Sequence, residues 1–153
     1  MLCPFCREKD TSVVDSRPCE EGTAVRRRRL CTCNGGMRFT TFERIQFQEL
    51  SVIKSNSKRE PFDRDKVSKS IRIATRKTPI TTDAIDNFVS KIIMKIEGLG
   101  ESEIPTSTIG KFIMQGLQYI DTVAYVRYAS VYKNFKEAKD FEQFVGSLDE
   151  KKS

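Results

Sequence analysis

All five cysteines of this 153-residue chain fall within its first 33 residues. Structural zinc takes about four ligands, and a closely spaced cysteine pair presents two thiolates to one ion. Because the chain contains no histidine, a zinc site in it has to rest on thiolates, with or without a carboxylate. Cysteines clustered at one end favour such a metal site over the disulfide framework of a secreted protein.

The spacing of these cysteines predicts one zinc ion per chain. Cys3 and Cys6 form the standard Cys-x-x-Cys half-site, whereas Cys31 and Cys33 are one residue closer than usual and would chelate through a different turn. We predict that these four bind the ion. Cys19 is the alternative fourth ligand, although a spare surface thiol is the favoured interpretation of it. A redox Cys-x-x-Cys, the competing interpretation, usually opens a helix in a larger α/β fold, and no such context is visible.

A run of four arginines, Arg26, Arg27, Arg28 and Arg29, lies just before Cys31. On a short strand the four side chains would point to both faces. Arginine pairs bidentately with phosphate and with the edge of guanine. The net charge of +6 also favours an anionic partner. We therefore predict that the run contacts DNA, extended by Arg17 and Arg38; a solvated charged strand is the alternative.

A second candidate site surrounds Lys66, in the first turn of a helix that Asp63 is predicted to cap. A lysine there opposes the helix dipole, which makes sense if a phosphate docks at the same place. Lys54, Lys58 and Arg59 add cations nearby. On these residues alone, ordinary surface lysines remain the preferred interpretation. The chain has no Walker A motif, because no glycine stands five residues before Gly110-Lys111.

Three tyrosines, Tyr125, Tyr128 and Tyr132, are spaced so that they share one face of a helix. Such a face is either part of an apolar core or a surface on which a purine stacks, with hydroxyl groups for hydrogen bonds. The residues alone slightly favour the core.

The elements that would position these residues indicate an α+β fold of two small domains. Residues 1–46 contain three short predicted strands, 11–15, 24–28 and 38–42, in a zinc-ribbon pattern. Residues 47–136 begin with a short β-hairpin and continue with four helices. The predicted caps are Asp63, Thr81 or Thr82, and Asp121, the third helix follows Pro105, and the first, second and fourth helices are predicted to end near residue 77, Gly98 and Phe135. Residues 137–153 are predicted to form a tail helix with Ala138, Phe141, Val145 and Leu148 on one face.

Composition excludes several classes of protein. Hydrophobic residues make up 38% and charged residues 31% of the chain, and no apolar run is long enough to span a bilayer. The first residues, MLCPFC, lack the basic and apolar regions of a signal peptide. We therefore expect a cytoplasmic protein without membrane contact.

The ordered combination of these motifs strongly resembles the NrdR family of bacterial transcriptional repressors over nearly the whole chain. The motifs that carry the resemblance are Cys3-Pro-x-Cys6, Asp10-Thr11, Asp15-Ser-Arg17, Val25-Arg-Arg-Arg-Arg29, Cys31, Arg38-Phe-Thr-Thr41, Glu43, Lys54-Ser-Asn56, Arg59-Glu-Pro-Phe62, Lys66 and Ala124-Tyr125-x-Arg127-x-Ala-Ser-Val-Tyr132.

The resemblance implies a zinc ribbon joined to an ATP cone, in a repressor of ribonucleotide reductase genes. Members of the family sense ATP and dATP as allosteric ligands. The bound nucleotide changes the size of a homo-oligomer and thereby its binding to double-stranded promoter DNA, in the cytosol and at the nucleoid. In the matching positions the nucleotide would be held by Val52, Lys54, Arg59, Glu60 and Lys66, with Tyr125, Tyr128 and Tyr132 lining the same region.

The second cysteine pair departs from the family pattern, which has Cys-x-x-Cys there. The chain has lost one residue between Cys31 and Cys33 and gained two before Arg38, so DNA affinity is the property most exposed to the change. An enzyme acting on nucleotides is disfavoured, because the chain has no histidine, no P-loop and no acidic metal cluster. An adaptor for ribonucleotide reductase or RNA polymerase is the remaining alternative.

Overall fold

A computed structural model of the chain describes residues 1–32, 36–46 and 49–150, with side chains up to residue 148. The described chain forms two compact units, Met1–Phe47 and Gln48–Ser153. Each unit contains its own three-stranded sheet. The expected α+β fold is confirmed, with a strand-rich first unit and a mainly helical second unit.

The first unit is an antiparallel sheet in the order β1-β2-β3. Its strands are β1 (Thr11–Cys19), β2 (Ala24–Cys31) and β3 (Met37–Arg44). All three predicted strands are present. Each is longer than predicted, because the pairing of β2 with β1 and with β3 continues to the ends of the strands. β1 and β2 are joined by a tight turn in which Glu20 and Glu21 have positive φ.

An irregularity in β1 controls which way its side chains point. The pairing with β2 shifts between Val13 and Asp15, so that Val13 lies opposite Arg29 while Asp15 lies opposite Arg28. Val14 is the extra residue of a β-bulge. Directly opposed residues of an antiparallel pair share a face. The bulge therefore places Val13 and Asp15 on opposite faces, although strict alternation would put them on the same one.

The second unit opens on the predicted hairpin of β4 (Ser51–Ile53) and β5 (Arg59–Pro61). A third strand that the sequence did not predict, β6 (Glu103–Pro105), pairs in parallel with β4. Three residues carry too little alternation to be recognised as a strand. Val52 pairs with Ile104 because α1 and α2 bring the two segments together, and the local sequence does not contain that information.

Five helices are described in this unit, and three of them start at a side-chain cap. The Asp63 carboxylate accepts hydrogen bonds from the backbone N–H groups of Asp65 and Lys66, and Thr81 and Asp121 cap the second and fourth helices in the same way. The helices are α1 (Arg64–Ala74), α2 (Thr82–Glu97), α3 (Thr106–Ile120), α4 (Thr122–Tyr132) and α5 (Ala138–Glu150). α1 and α4 end three residues earlier than predicted.

The main core of this unit is formed by the inner faces of α1 to α4 and by strands β4 and β6. Its largest fully buried side chains are Ile71, Val89, Ile96, Ile104, Ile113 and Leu117. None of the described helices combines the length and apolarity that a bilayer-spanning segment requires.

The tail helix α5 is present, but the apolar face predicted for it is partly wrong. Ala138 and Phe141 are exposed, whereas Phe144 is buried and Leu148 partly buried. Phe144 packs with Met114 and Ala129 in a second, smaller core cluster. The buried face of α5 is therefore rotated from the predicted one. The elements on which α5 packs decide which of its residues are buried, and the apolar pattern within the helix does not.

Candidate functional site

Three of the predicted zinc ligands come together in the first unit. The Sγ atoms of Cys3, Cys6 and Cys31 all lie within 4.8 Å of one another, and those of Cys6 and Cys31 are 3.6 Å apart. Tetrahedral zinc with bonds of about 2.3 Å needs sulfur atoms roughly 3.8 Å apart. The cluster therefore fits three corners of a zinc site. Cys33, the predicted fourth ligand, lies outside the described residues.

The turn that holds the first two cysteines is built by backbone hydrogen bonds. The Cys3 N–H donates to the Glu8 carbonyl, and the Arg7 N–H donates back to the Cys3 carbonyl. Burial raises the pKa of the Cys3 thiol, but hydrogen bonds from the Cys6 and Phe5 backbone and from the neighbouring thiols lower it more, to about 7. The turn therefore favours the thiolate that zinc requires.

Cys19, the alternative fourth ligand, lies far from this cluster. It pairs with Ala24 at one end of the β1–β2 ladder, while Cys31 pairs with Thr11 at the other. Seven residues along β2 separate the two ends, about 24 Å at the rise of an antiparallel strand. Burial and the charge of Glu20 also raise the pKa of the Cys19 thiol. Cys19 and Cys31 therefore cannot ligate the same ion.

The register of the sheet divides the six predicted DNA-contacting arginines between its two faces. Arg26 lies opposite Arg17 and Phe42, and Arg28 opposite Asp15. We call the side that bears Arg17, Arg26, Arg28, Arg38 and Phe42 the arginine face. The side that bears Arg27, Arg29, Val13, Phe39 and Glu43 is the opposite face.

The two faces differ in how their charges are neutralised. On the opposite face, Arg27 forms an ion pair with Glu43 at 2.7 Å, and the Arg29 Nε donates to the Thr11 hydroxyl. On the arginine face, Arg17 pairs with Asp15 at 3.1 Å. Arg26, Arg28 and Arg38 have no ion-pair partner in the part of the chain that the structure describes, and on the opposite face the same holds only for Arg29.

A cavity of about 230 Å³ lies in the second unit, between the β4–β5 hairpin, the start of α1, and helices α3 and α4. It has an apolar floor, and Glu60 and Lys66 lie at its edge. The residues that line it are Val52, Glu60, Pro61, Phe62, Asp63, Lys66, Val67, Ser70, Thr106, Ile109, Gly110, Ile113, Tyr128 and Tyr132.

Glu60 gathers the two predicted lysines at this edge. One of its carboxylate oxygens is 3.1 Å from the Lys66 Nζ, and the other is 2.9 Å from the Lys54 Nζ. The hydrogen bonds and charges of the two lysines hold the pKa of Glu60 below its ordinary value. Arg59, one residue earlier on β5, instead forms an ion pair with Glu103 at 3.0 Å.

The three tyrosines of α4 divide between the cavity and the core. Tyr128 and Tyr132 line the cavity with ring centroids 6.3 Å apart. Tyr125 is not part of the lining and packs on Phe144 of α5, with centroids 5.4 Å apart. Burial raises the pKa of both Tyr125 and Tyr128, so these two hydroxyls stay protonated.

Gly110 of α3 is a lining residue that sequence reasoning missed. A Cβ atom at this position would lie 2.1 Å from Cε2 of Tyr132. The Tyr132 ring therefore lies directly on the helix backbone, and its hydroxyl donates to the Ser107 carbonyl at 2.9 Å. In the sequence Gly110 stands out only as half of a Gly-Lys pair, so nothing there signals this contact.

The cavity combines the three features that a nucleotide requires. Its floor is apolar, two stacked aromatic rings form one wall, and lysine ammonium groups lie at its edge beside the N-terminus of α1, where the helix dipole favours a phosphate. No nucleophile–base arrangement such as acyl or phosphoryl transfer needs occurs among the lining residues.

Two family models match the chain. The model described as the N-terminal domain of NrdR-like transcriptional repressors matches residues 1–43, and the model described as the ATP cone domain matches residues 50–138.

Three relatives, each named Transcriptional repressor NrdR, are similar along almost their whole length. The protein of Pelagibacter ubique is 58% identical over 149 residues, which cover 97% of each chain. That of Rhodospirillum centenum is 56% identical over 148 residues, 97% of this chain and 96% of its own. That of Acidiphilium cryptum is 53% identical over 153 residues, 99% of this chain and 100% of its own.

A repressor has a regulatory and not an enzymatic role, in agreement with the expectation from the sequence. Both matched models follow the order of the two structural units along the chain. The chain belongs to the NrdR family of transcriptional repressors, which joins an N-terminal zinc ribbon to an ATP cone.

Proposed function

We propose that this protein represses ribonucleotide reductase genes by binding their promoter DNA under the control of ATP and dATP. Residues 1–46 are the zinc-ribbon DNA-binding domain, residues 47–136 the nucleotide-binding domain, and residues 137–153 the tail helix. The observation that carries the proposal is the presence in one chain of an arginine-rich sheet next to a zinc-type cysteine cluster and a cavity suited to a nucleotide. The names of the relatives support the same function.

In the first domain, one zinc ion per chain is bound by Cys3, Cys6, Cys31 and Cys33. Bound zinc would contribute the folding energy that a segment with so small a core lacks. Because Cys31 ends β2, its ligation ties the turn of Cys3 and Cys6 to the strand that carries the arginines. The positive charge for phosphate contacts comes from arginines of this sheet, drawn from the predicted set of Arg17, Arg26, Arg27, Arg28, Arg29 and Arg38.

In the second domain, an adenine nucleotide occupies the cavity. Tyr128 and Tyr132 stack on the base, Val52 contacts it from β4, and the phosphates lie against Lys66. Lys54 also contacts the phosphates, once a phosphate oxygen takes the place of the Glu60 carboxylate beside its ammonium group. Of the other residues that the family resemblance implies, Arg59 would act from the rim and Tyr125 by supporting Tyr128 from behind.

ATP and dATP differ in their affinity for alternative homo-oligomers, and each nucleotide shifts their populations accordingly. One oligomer presents zinc ribbons in pairs. Two ribbons that engage one DNA molecule bind more tightly than either alone, because the second contact is intramolecular. Such a protein acts in the bacterial cytosol and, when bound to DNA, at the nucleoid.

Fluorescence anisotropy tests the proposal with labelled duplex DNA from upstream of the host's ribonucleotide reductase genes. Zinc-loaded protein is titrated with ATP alone and again with dATP present. We expect tighter binding with dATP, together with a change of mass in light scattering. Equal binding under both conditions would contradict nucleotide control, and no binding by folded protein would contradict the repressor function.

Substitution of Gly110 by alanine tests the cavity. The new Cβ displaces the Tyr132 ring from α3, so we expect several-fold weaker binding of ATP and dATP in calorimetric titrations. Gly146→Ala is the matched control, because Gly146 also lies in a helix but a Cβ there meets nothing within 4 Å. Unchanged affinity in folded Gly110→Ala would mean that the nucleotide does not contact Tyr132.

A further inference from the structure

The arginine face of the first unit has a larger excess of positive charge than the opposite face. Arg44 of β3 lies opposite Ala24 of β2 and belongs to the same face, which therefore carries five arginines. Two of them form ion pairs, Arg17 with Asp15 and Arg44 with Glu20. On the opposite face, Arg27 is neutralised by Glu43 and Arg29 is held by Thr11. An ion-paired arginine adds little to the attraction of a polyanion.

The arginine face also displays an aromatic ring. Phe42 lies opposite Arg26 and is 48% exposed. The guanidinium of Arg44 lies over the ring, 4.7 Å from its centroid, and is itself held by the carboxylate of Glu20, whose side chain is only 4% exposed. Glu20 and Arg44 thus fix the orientation of Phe42 among the charged side chains.

We propose that double-stranded DNA docks on the arginine face alone, with Arg26, Arg28 and Arg38 on its phosphates and bases and Phe42 in apolar contact between them. Arg17 completes this surface from β1. Arg27 and Arg29 stabilise the sheet from the opposite face and do not touch DNA. This inference rests on the proposed repressor function and refines it.

The chemistry of duplex DNA matches this surface. A two-stranded β-ribbon is of a size to enter the major groove, where arginine recognises guanine and where a phenyl ring contacts the methyl group of thymine. The unpaired guanidinium groups can neutralise phosphates and release their counterions. Arg44 is not expected to do so, because Glu20 neutralises it on both carboxylate oxygens.

Paired double substitutions within one strand test the choice of face. Arg26→Gln with Arg28→Gln removes two charges from the arginine face, and Arg27→Gln with Arg29→Gln removes two from the opposite face. Binding of a labelled mixed-sequence DNA duplex is measured by anisotropy at several salt concentrations. Zinc content and the melting temperature verify that each variant is folded.

We expect the Arg26/Arg28 variant to bind DNA at least about tenfold more weakly. The slope of log affinity against log salt concentration should become shallower by about 2. The Arg27/Arg29 variant should keep the affinity within about twofold and the slope unchanged if its charges make no phosphate contact. Equal losses, or a larger loss on the opposite face, would overturn the inference while leaving DNA binding itself established. Failure of the unmodified protein to bind DNA would overturn the proposed function and this inference together.

Phe42→Ala tests the aromatic contact independently of charge. We expect several-fold weaker binding with the same salt slope, since no phosphate contact is lost. The matched control is Val13→Ala, which trims a 40% exposed apolar side chain on the opposite face. A Phe42 variant with unchanged affinity would remove the phenyl ring from the proposed surface.

Discussion

Cys31→Ser is expected to release the zinc ion and to abolish DNA binding. Cys31 is fully buried and lies in the cluster with Cys3 and Cys6. Structural zinc contributes about 10–16 kcal/mol of binding free energy in small zinc-finger peptides, so a unit with so few buried apolar residues should unfold without it. The measurements are zinc content by mass spectrometry, strand content by circular dichroism, and DNA binding.

Cys19→Ser is the matched control for this substitution. The Cys19 thiol lies at the other end of the β1–β2 ladder, so its loss should leave both the zinc content and the DNA affinity unchanged. Nucleotide binding by the second unit should survive in both variants, because that unit has a core of its own. A Cys31 variant that retains one zinc ion per chain and binds DNA would contradict the assigned ligand set.

Lys66→Ala is expected to remove the response to nucleotides while leaving the zinc content unchanged. The side chain lies at the cavity beside the first turn of α1, 62% exposed and held by Glu60. Loss of a hydrogen bond to a charged group costs about 1.5–3 kcal/mol. Binding of ATP and dATP should therefore weaken roughly 10- to 150-fold. Calorimetry measures the loss directly, and anisotropy shows whether DNA binding still responds.

Lys69→Ala provides a comparison of equal charge on the same helix. Lys69 is exposed on α1 and does not line the cavity, so its removal should change nucleotide affinity less than about twofold through long-range charge. If the two variants lose affinity equally, general positive charge and not the cavity governs binding. An undiminished response in Lys66→Ala would refute the assigned site.

In the first unit, the spacing of the cysteines predicts part of the zinc site. Cys3-x-x-Cys6 predicts a turn that presents two sulfurs, and Cys31 follows at the end of a recognisable strand. The distance from Cys19 could not be predicted, because it depends on the pairing of Cys19 with Ala24 at the far end of the ladder. Exclusion of this thiol thus required the register of the sheet.

At the cavity, too, the sequence predicts which residues share a helix face, and only the structure shows what that face contacts. Helical periodicity places Tyr125, Tyr128 and Tyr132 on one face of α4 but cannot say what that face meets. Docking of α5 covers Tyr125 with Phe144, and the bare backbone at Gly110 admits the Tyr132 ring. The contact partners of a helix face come from elements distant in sequence, so local patterns do not contain them.

The sequence by itself determined the turn of Cys3 and Cys6 and the capped helix starts, because these depend on spacing within one element. The ordered motifs also determined the family. Only the tertiary structure decided the pairing of β6 with β4, the face that α5 buries, and the division of the arginine run. The bulge at Val14 and the register of β2 place Arg26 and Arg28 beside Arg17, while Glu43 neutralises Arg27. Hydrogen bonds between strands fix that register, and they form only when the sheet assembles.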